Sequence, residues 1–237
     1  MKNVMMNGPM KDLMMSLSNF FITKAEAYLV SLNVLTHTKI TLSPDELQLV
    51  NNTDWILTKR VIIDKTVQFF SELSGTMRNI LEKEVTGLPK PVLLSEPKIS
   101  RGENYRQLPY VMLDYPRCFA ATNIFAVRTM FWWGNFFSIT LQLSGKYQKL
   151  FEENIAKKIV TLEKGNYHIC INEDQWQHHF EEDNYVLACS KTAEEMHAIL
   201  QQQPFIKIAR KFSLSQWNEM PALLERSFTE IIELVKT

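Results

Sequence analysis

The segment Thr129–Gly145, TMFWWGNFFSITLQLSG, runs 17 residues without a charge and carries the turn signal Gly134-Asn135 at its centre. Aromatic and β-branched residues on both sides of such a pair predict an antiparallel hairpin. A membrane span of ~20 apolar residues would not be interrupted there. Read with a two-residue turn, the hairpin pairs Trp133 with Phe136, Trp132 with Phe137, Met130 with Ile139 and Arg128 with Leu141. Arg128 then shares a nearly all-apolar face with Met130, Trp132, Phe137, Ile139, Leu141 and Leu143. A guanidinium in that position needs an acid or an anionic ligand, and Asp114 on the preceding strand is the leading internal partner. A slip of one residue in the turn would move Arg128 to the opposite face.

Around this hairpin the chain divides into a helical half and a strand-rich half. Leu13, Leu17, Phe20, Phe21, Tyr28 and Leu32 predict a helix from about Met10. Ser43-Pro44-Asp45-Glu46 is a capping box with proline at the first helical position, opening a short helix to about Val50. Asn51-Asn52-Thr53 breaks it and caps the next helix. Trp55 to Glu84 is the longest, with a stripe of Ile56, Ile63, Val67, Phe70, Met77 and Leu81 widened by Ile62, Phe69, Leu73 and Ile80. Arg60 falls inside that stripe, so it either snorkels to the edge or reaches a buried acid.

After Gly87-Leu88-Pro89-Lys90-Pro91, strands are predicted at about 109–115, 123–133, 136–143, 166–171, 184–189 and 205–212. Helices follow at about 147–160, 192–202 and 219–236, the last with Leu224, Phe228, Ile231 and Val235 as its stripe. The expected fold is α+β: a mainly antiparallel sheet of five or six strands packed against N-terminal and C-terminal helices. Residues 1–9 are expected to be mobile and 10–237 to form one domain, with a candidate sub-boundary near 87–97.

Lys plus Arg and Asp plus Glu each number 26, so the net charge is zero. That argues against a nucleic-acid partner or a membrane-surface protein, which carry basic excess. The N-terminus is interrupted by Asn7, Gly8, Pro9, Lys11 and Asp12, unlike a secretory signal. Three scattered cysteines without a C-x-x-C pair read as reduced thiols. A cytoplasmic location is expected.

The chemistry-bearing residues concentrate just before the hairpin. Lys98, Arg101, Tyr105, Arg106, Tyr110, Asp114 and Arg117, with Arg128, combine guanidinium and phenol donors that suit carboxylate or phosphate. Arg101-Gly102 is read as a flexible loop where backbone could approach a ligand. The competing reading pairs these cations with Glu96, Glu103 and Asp114 as structural ion pairs. Asp114 beside arginines would make a poor general base.

His168, His178, His179 and the acids of 173–183 offer metal-ligand atom types, but no recognised ligand spacing, so a solvated acidic loop and no metal are expected. Cys118, beside Arg117, is the only thiol near positive charge, while Cys170 and Cys189 read as core. No G-x-S-x-G, P-loop or G-x-G-x-x-G occurs, and no cofactor is expected. Phe131, Trp132, Trp133, Phe136 and Phe137 read as core rather than a stacking platform, with Trp133 at the turn the exception.

One stretch resembles a known family. Asn51-Asn52-x-x-Trp55, a long helix with Lys59 and Phe69-Phe70, then Pro89 and Lys98-x-x-Arg101, is similar to a widespread bacterial family of unknown function. Its members open with NN-x-x-W and carry a later R-D-x-R-F-S-x-D-K-x-P-Y-K motif. Here KISRGENYRQLPYVMLDYPR has Pro109-Tyr110 at the Pro-Tyr, but Gln107-Leu108 replaces the Asp-Lys. Over residues 51–115 the resemblance implies a bacterial source and an α+β fold, and little chemistry.

Two functions are therefore carried forward. One is binding of a small anionic ligand through Arg101, Arg106, Arg117 and Arg128. The other is a non-catalytic interaction or scaffolding role with those charges paired structurally.

Overall fold

A computed structural model describes residues 41–83 and 87–236. The helix expected from Met10 and the mobile start at 1–9 lie outside the described residues. The chain divides into two compact units between Lys59 and Arg60.

In the first unit, α1 (Pro44–Asn51) begins as its sequence predicts. The Ser43 hydroxyl accepts from the Glu46 amide at 3.2 Å, and the Glu46 carboxylate accepts from the Ser43 amide at 2.7 Å. The Asn52 side chain accepts from the Trp55 amide at 3.1 Å and so caps α2 (Thr53–Lys83). α1 buries none of its residues.

The second unit holds the rest of α2, whose buried residues are Ile63, Thr66, Phe70, Leu73, Met77 and Leu81. Their three- and four-residue spacing keeps one stripe inward. Arg60 and Ile56 are exposed, and among the described residues Arg60 reaches no buried acid.

A seven-stranded sheet follows, one or two strands larger than expected. The strands are β1 (Lys98–Tyr105), β2 (Leu108–Phe119), β3 (Ile124–Trp132), β4 (Phe136–Ser144), β5 (His168–Cys170), β6 (Tyr185–Leu187) and β7 (Phe205–Ser213), in spatial order β1-β2-β3-β4-β7-β5-β6. Every pairing is antiparallel. Short helix α3 (Lys90–Leu93) precedes β1, and α4 (Lys146–Lys157) and α5 (Ile159–Lys164) follow β4. α6 (Ala193–Gln202) leads into β7, and α7 (Met220–Leu234) closes the chain.

The additional strand is β1. Arg101-Gly102 lies within it, paired with Val111 and Tyr110, and is not a loop. Gly102 is needed there because a Cβ would stand 2.6 Å from the Tyr110 ring.

The central hairpin adopts the one-residue slip. Trp132 pairs with Phe136, so the loop holds three residues, and Arg128 pairs with Thr140 rather than Leu141. This register collects the apolar residues on one side: Val111, Leu113, Phe125, Val127, Phe131, Phe137, Ile139, Leu141, Leu143, Ile206 and Ile208 join one core with α2, α4, α6 and α7. The two-residue turn would have set Arg128 and Met130 beside the β4 core residues, and segregation by face decides against it. Leu224, Phe228, Ile231 and Val235 lie in this core as predicted.

Candidate functional site

The face of the sheet away from the helices carries the polar residues. One row crosses all seven strands as Lys98, Asp114, Arg128, Thr140, Ala209, His168 and Leu187. The next row sets Ala126 beside Gln142 and Lys207. Asp114, Arg128, Ser138, Thr140, Gln142 and Lys207 are all buried. Burial of so many polar groups requires hydrogen-bond partners, and the loop from Ile171 to Asn184 supplies many of them.

Arg128 is held from two sides. Its Nε and Nη2 donate to the two Asp114 oxygens at 2.7 and 3.1 Å, and its Nη1 donates to His178 Nε2 at 3.2 Å. Since a guanidinium can only donate, His178 Nε2 must be bare and the ring neutral. Burial pushes the His178 pKa well below its ordinary value, helped by Lys207, Arg128 and His179 nearby. Lys207 donates to the Gln177 carbonyl, and burial brings its pKa down to about 8. Trp176 lies 6.0 Å from the Arg128 guanidinium.

Tyr105 fastens the same loop. Its hydroxyl oxygen accepts from the His178 amide at 2.7 Å and the His179 amide at 3.1 Å. It also lies 3.4 Å from His179 Nδ1, while His179 Nε2 lies 3.1 Å from Asp183. With the proton on Nε2, His179 accepts from Tyr105 and donates to Asp183, and the Arg106 guanidinium beside the same nitrogen then makes no hydrogen bond to it. The β1–β2 turn places Arg106 beside them. Arg106 and Gln107 both have positive φ, 47° and 67°, a conformation that suits Asn-Gly far better. From there Arg106 donates to Glu181 at 2.8 Å and lies 3.3 Å from His179 Nε2. The Glu181 bond raises the Arg106 pKa.

The eight residues expected to form a ligand rim are thus dispersed. Tyr105, Arg106, Asp114 and Arg128 meet around the 171–184 loop. Tyr110 packs edge-on against Tyr105, with ring centres 6.3 Å apart. Lys98 shares the row but is exposed at the sheet edge. Arg101 contacts Asp64 at 3.3 Å on the exposed surface. Arg117, beyond a register shift in β2, donates its Nε to the Glu96 carbonyl at 3.0 Å.

Lys207, Gln142 and Gln177 were missed. The signal for Lys207 was its place in Phe205-Ile206-Lys207-Ile208-Ala209, a lone charge at an alternating position of an apolar strand. Cys189, expected in the core, is exposed on the 3-10 turn Ala188–Ser190. Its strand ends two residues earlier, at Leu187. Cys170 is buried, which raises its thiol pKa. Cys118 accepts from the Tyr147 hydroxyl at 3.3 Å.

His179, Glu181 and Asp183 bring three ligand-type atoms within 4.8 Å of one another. The Arg106 guanidinium already contacts two of these side chains, so a metal ion would have to displace a cation.

The fold and site define a helix-covered antiparallel α+β protein with a buried, loop-sealed polar face. Compared with known proteins, the chain matches no family model, no curated protein and no solved structure. No described helix is long and apolar enough to cross a membrane.

Proposed function

We propose that this chain is a non-catalytic protein-interaction component whose sheet-face charges serve its own fold. The observation that carries this reading is the apolar surface of the first unit. Among the described residues, Leu42, Leu47, Leu49, Val50, Trp55, Ile56 and Leu57 are seven of the twelve exposed large hydrophobic side chains, within the short stretch 42–57. Trp55, Ile56 and Leu57 are consecutive on a helix, where each residue turns by about 100°, so they expose apolar surface around much of its circumference. An isolated helix of eight residues is marginal in water even with a good cap. α1 has that length and buries none of its side chains, so a covering partner accounts for both its order and its composition.

The paired cations support the same reading. Arg128, Arg106, Arg101 and Arg117 each have a protein acceptor, which leaves less capacity for a bound anion. An intracellular setting fits Cys118, Cys170 and Cys189, all unpaired.

Gel filtration with light scattering on the full chain, alone and from its native extract, tests the proposal. A stable assembly is expected, and Val50→Asp with Leu57→Asp should dissolve it while leaving the circular dichroism unchanged. A monomer at every concentration that retains no partner overturns it.

A further inference from the structure

The 14 residues between Cys170 and Tyr185 form a loop longer than most connections in a compact domain. Its ends are tied together, with the Ile171 amide donating to the Asn184 carbonyl at 2.9 Å. Its middle is tied to distant strands. Tyr105 on β1, Arg128 on β3, Gln142 on β4 and Lys207 on β7 hold His178 and His179, His178, Gln175 and Gln177 respectively. Phe180 stacks on Tyr185 at 4.6 Å and meets Phe136 edge-on at 5.1 Å. This is a compact surface loop fastened mainly by polar contacts.

We propose that the 171–184 loop is a strap that releases in acid, and that protonation of His178 is the event that undoes it. The geometry makes the fastening conditional on charge. Nε2 is an acceptor only while it carries no proton, and the group facing it is the Arg128 guanidinium. Lys207 from β7 adds a second positive charge, and His179 on the loop itself a titratable neighbour. The Tyr105 ring from β1 lies 5.5 Å away. Asp114 from β2 is occupied by Arg128 through both its oxygens, and Asp174 on the loop acts on Lys207. A proton on Nε2 therefore removes one hydrogen bond and sets three cations around one site. Release exposes Arg128, Lys207 and the Tyr105 hydroxyl while the helix-covered core on the other face stays intact.

Because the closed loop holds His178 neutral, its opening equilibrium should rise about tenfold for each pH unit below about 6.5. Amide hydrogen exchange on the full chain, corrected for the intrinsic pH dependence of exchange, tests this at pH values of about 7.5 and 4.5. Opening of 171–184 should increase by about 100-fold at the lower pH, with β3 and β4 still protected. His178→Gln keeps an acceptor for Arg128 but takes up no proton, and its loop should be equally protected at both pH values. Unchanged loop protection in the wild type overturns the proposal. So does loss of the loop and β3 together, or an H178Q loop that opens as the wild type does. Should H178Q fail to fold, nitrogen NMR of the wild-type imidazole decides: Nε2 must be unprotonated at neutral pH, and a proton there overturns the strap.

Discussion

Arg128 and Asp114 face each other directly across β3 and β2 and form a two-point ion pair, Nε to Oδ1 at 2.7 Å and Nη2 to Oδ2 at 3.1 Å. Both side chains are about nine-tenths buried. Two parallel charge-assisted bonds fix the register of these strands as well as neutralising the charge.

Removing one partner strands the other charge in the interior, which costs about 3–5 kcal/mol. Arg128→Met and Asp114→Asn should each lower stability by that order in urea titrations. Asp114→Leu combined with Arg128→Met should recover more than half of the loss, because an apolar pair leaves no charge unpaired. Equal and additive losses would show that the pair acts independently.

At Gly102 the prediction concerns space. An alanine Cβ would stand 2.6 Å from the Tyr110 ring, so Gly102→Ala should destabilise by about 1–3 kcal/mol through a forced shift of that ring. Tyr110→Ala should largely suppress the effect, and a double-mutant cycle measures the coupling.

The β1–β2 turn offers a gain. Gln107 holds φ of 67°, a conformation that penalises a residue with a Cβ. Gln107→Gly should raise stability by about 0.5–1 kcal/mol, read as a higher denaturation midpoint with an unchanged slope.

How far the sequence revealed this arrangement varies with the physics of each element. α1, α2, α7 and the central strands were legible because capping residues and periodic apolar positions act locally. β1 was not. Its Lys98, Arg101 and Glu103 are charged because it is an edge strand, and Gly102 imitates a loop while accommodating a ring on the neighbouring strand. The hairpin register depended on which apolar set reached the helices, a tertiary choice that Gly134-Asn135 alone does not make. Asp114 was identified as the partner of Arg128, since an arginine on a buried strand demands an acid. The anchoring of His178 and Lys207 was hidden by the sequence distance between their partners.

Acid should weaken the fold through two imidazoles. Burial brings the His168 pKa down to about 4, with Lys211 adding to the effect, and holds His178 well below its usual value. Both groups stay neutral in the folded chain while the unfolded chain takes up protons. Stability is therefore full above about pH 6.5 and declines as pH falls toward about 4. Proton uptake on unfolding near pH 5 should drop by about one in His168→Gln and again in His178→Gln. An unchanged pH slope in both variants would contradict the burial of neutral rings.

The guanidinium groups of Arg101, Arg106, Arg117 and Arg128 each meet an acceptor within the protein. A thermal-shift titration with phosphate and small dicarboxylates, matched for ionic strength with chloride, shows whether they also hold an anion, since any ligand of the folded state raises the melting temperature with concentration. No saturable shift is expected up to millimolar anion. A saturable rise in melting temperature that Arg106→Ala abolishes would contradict it.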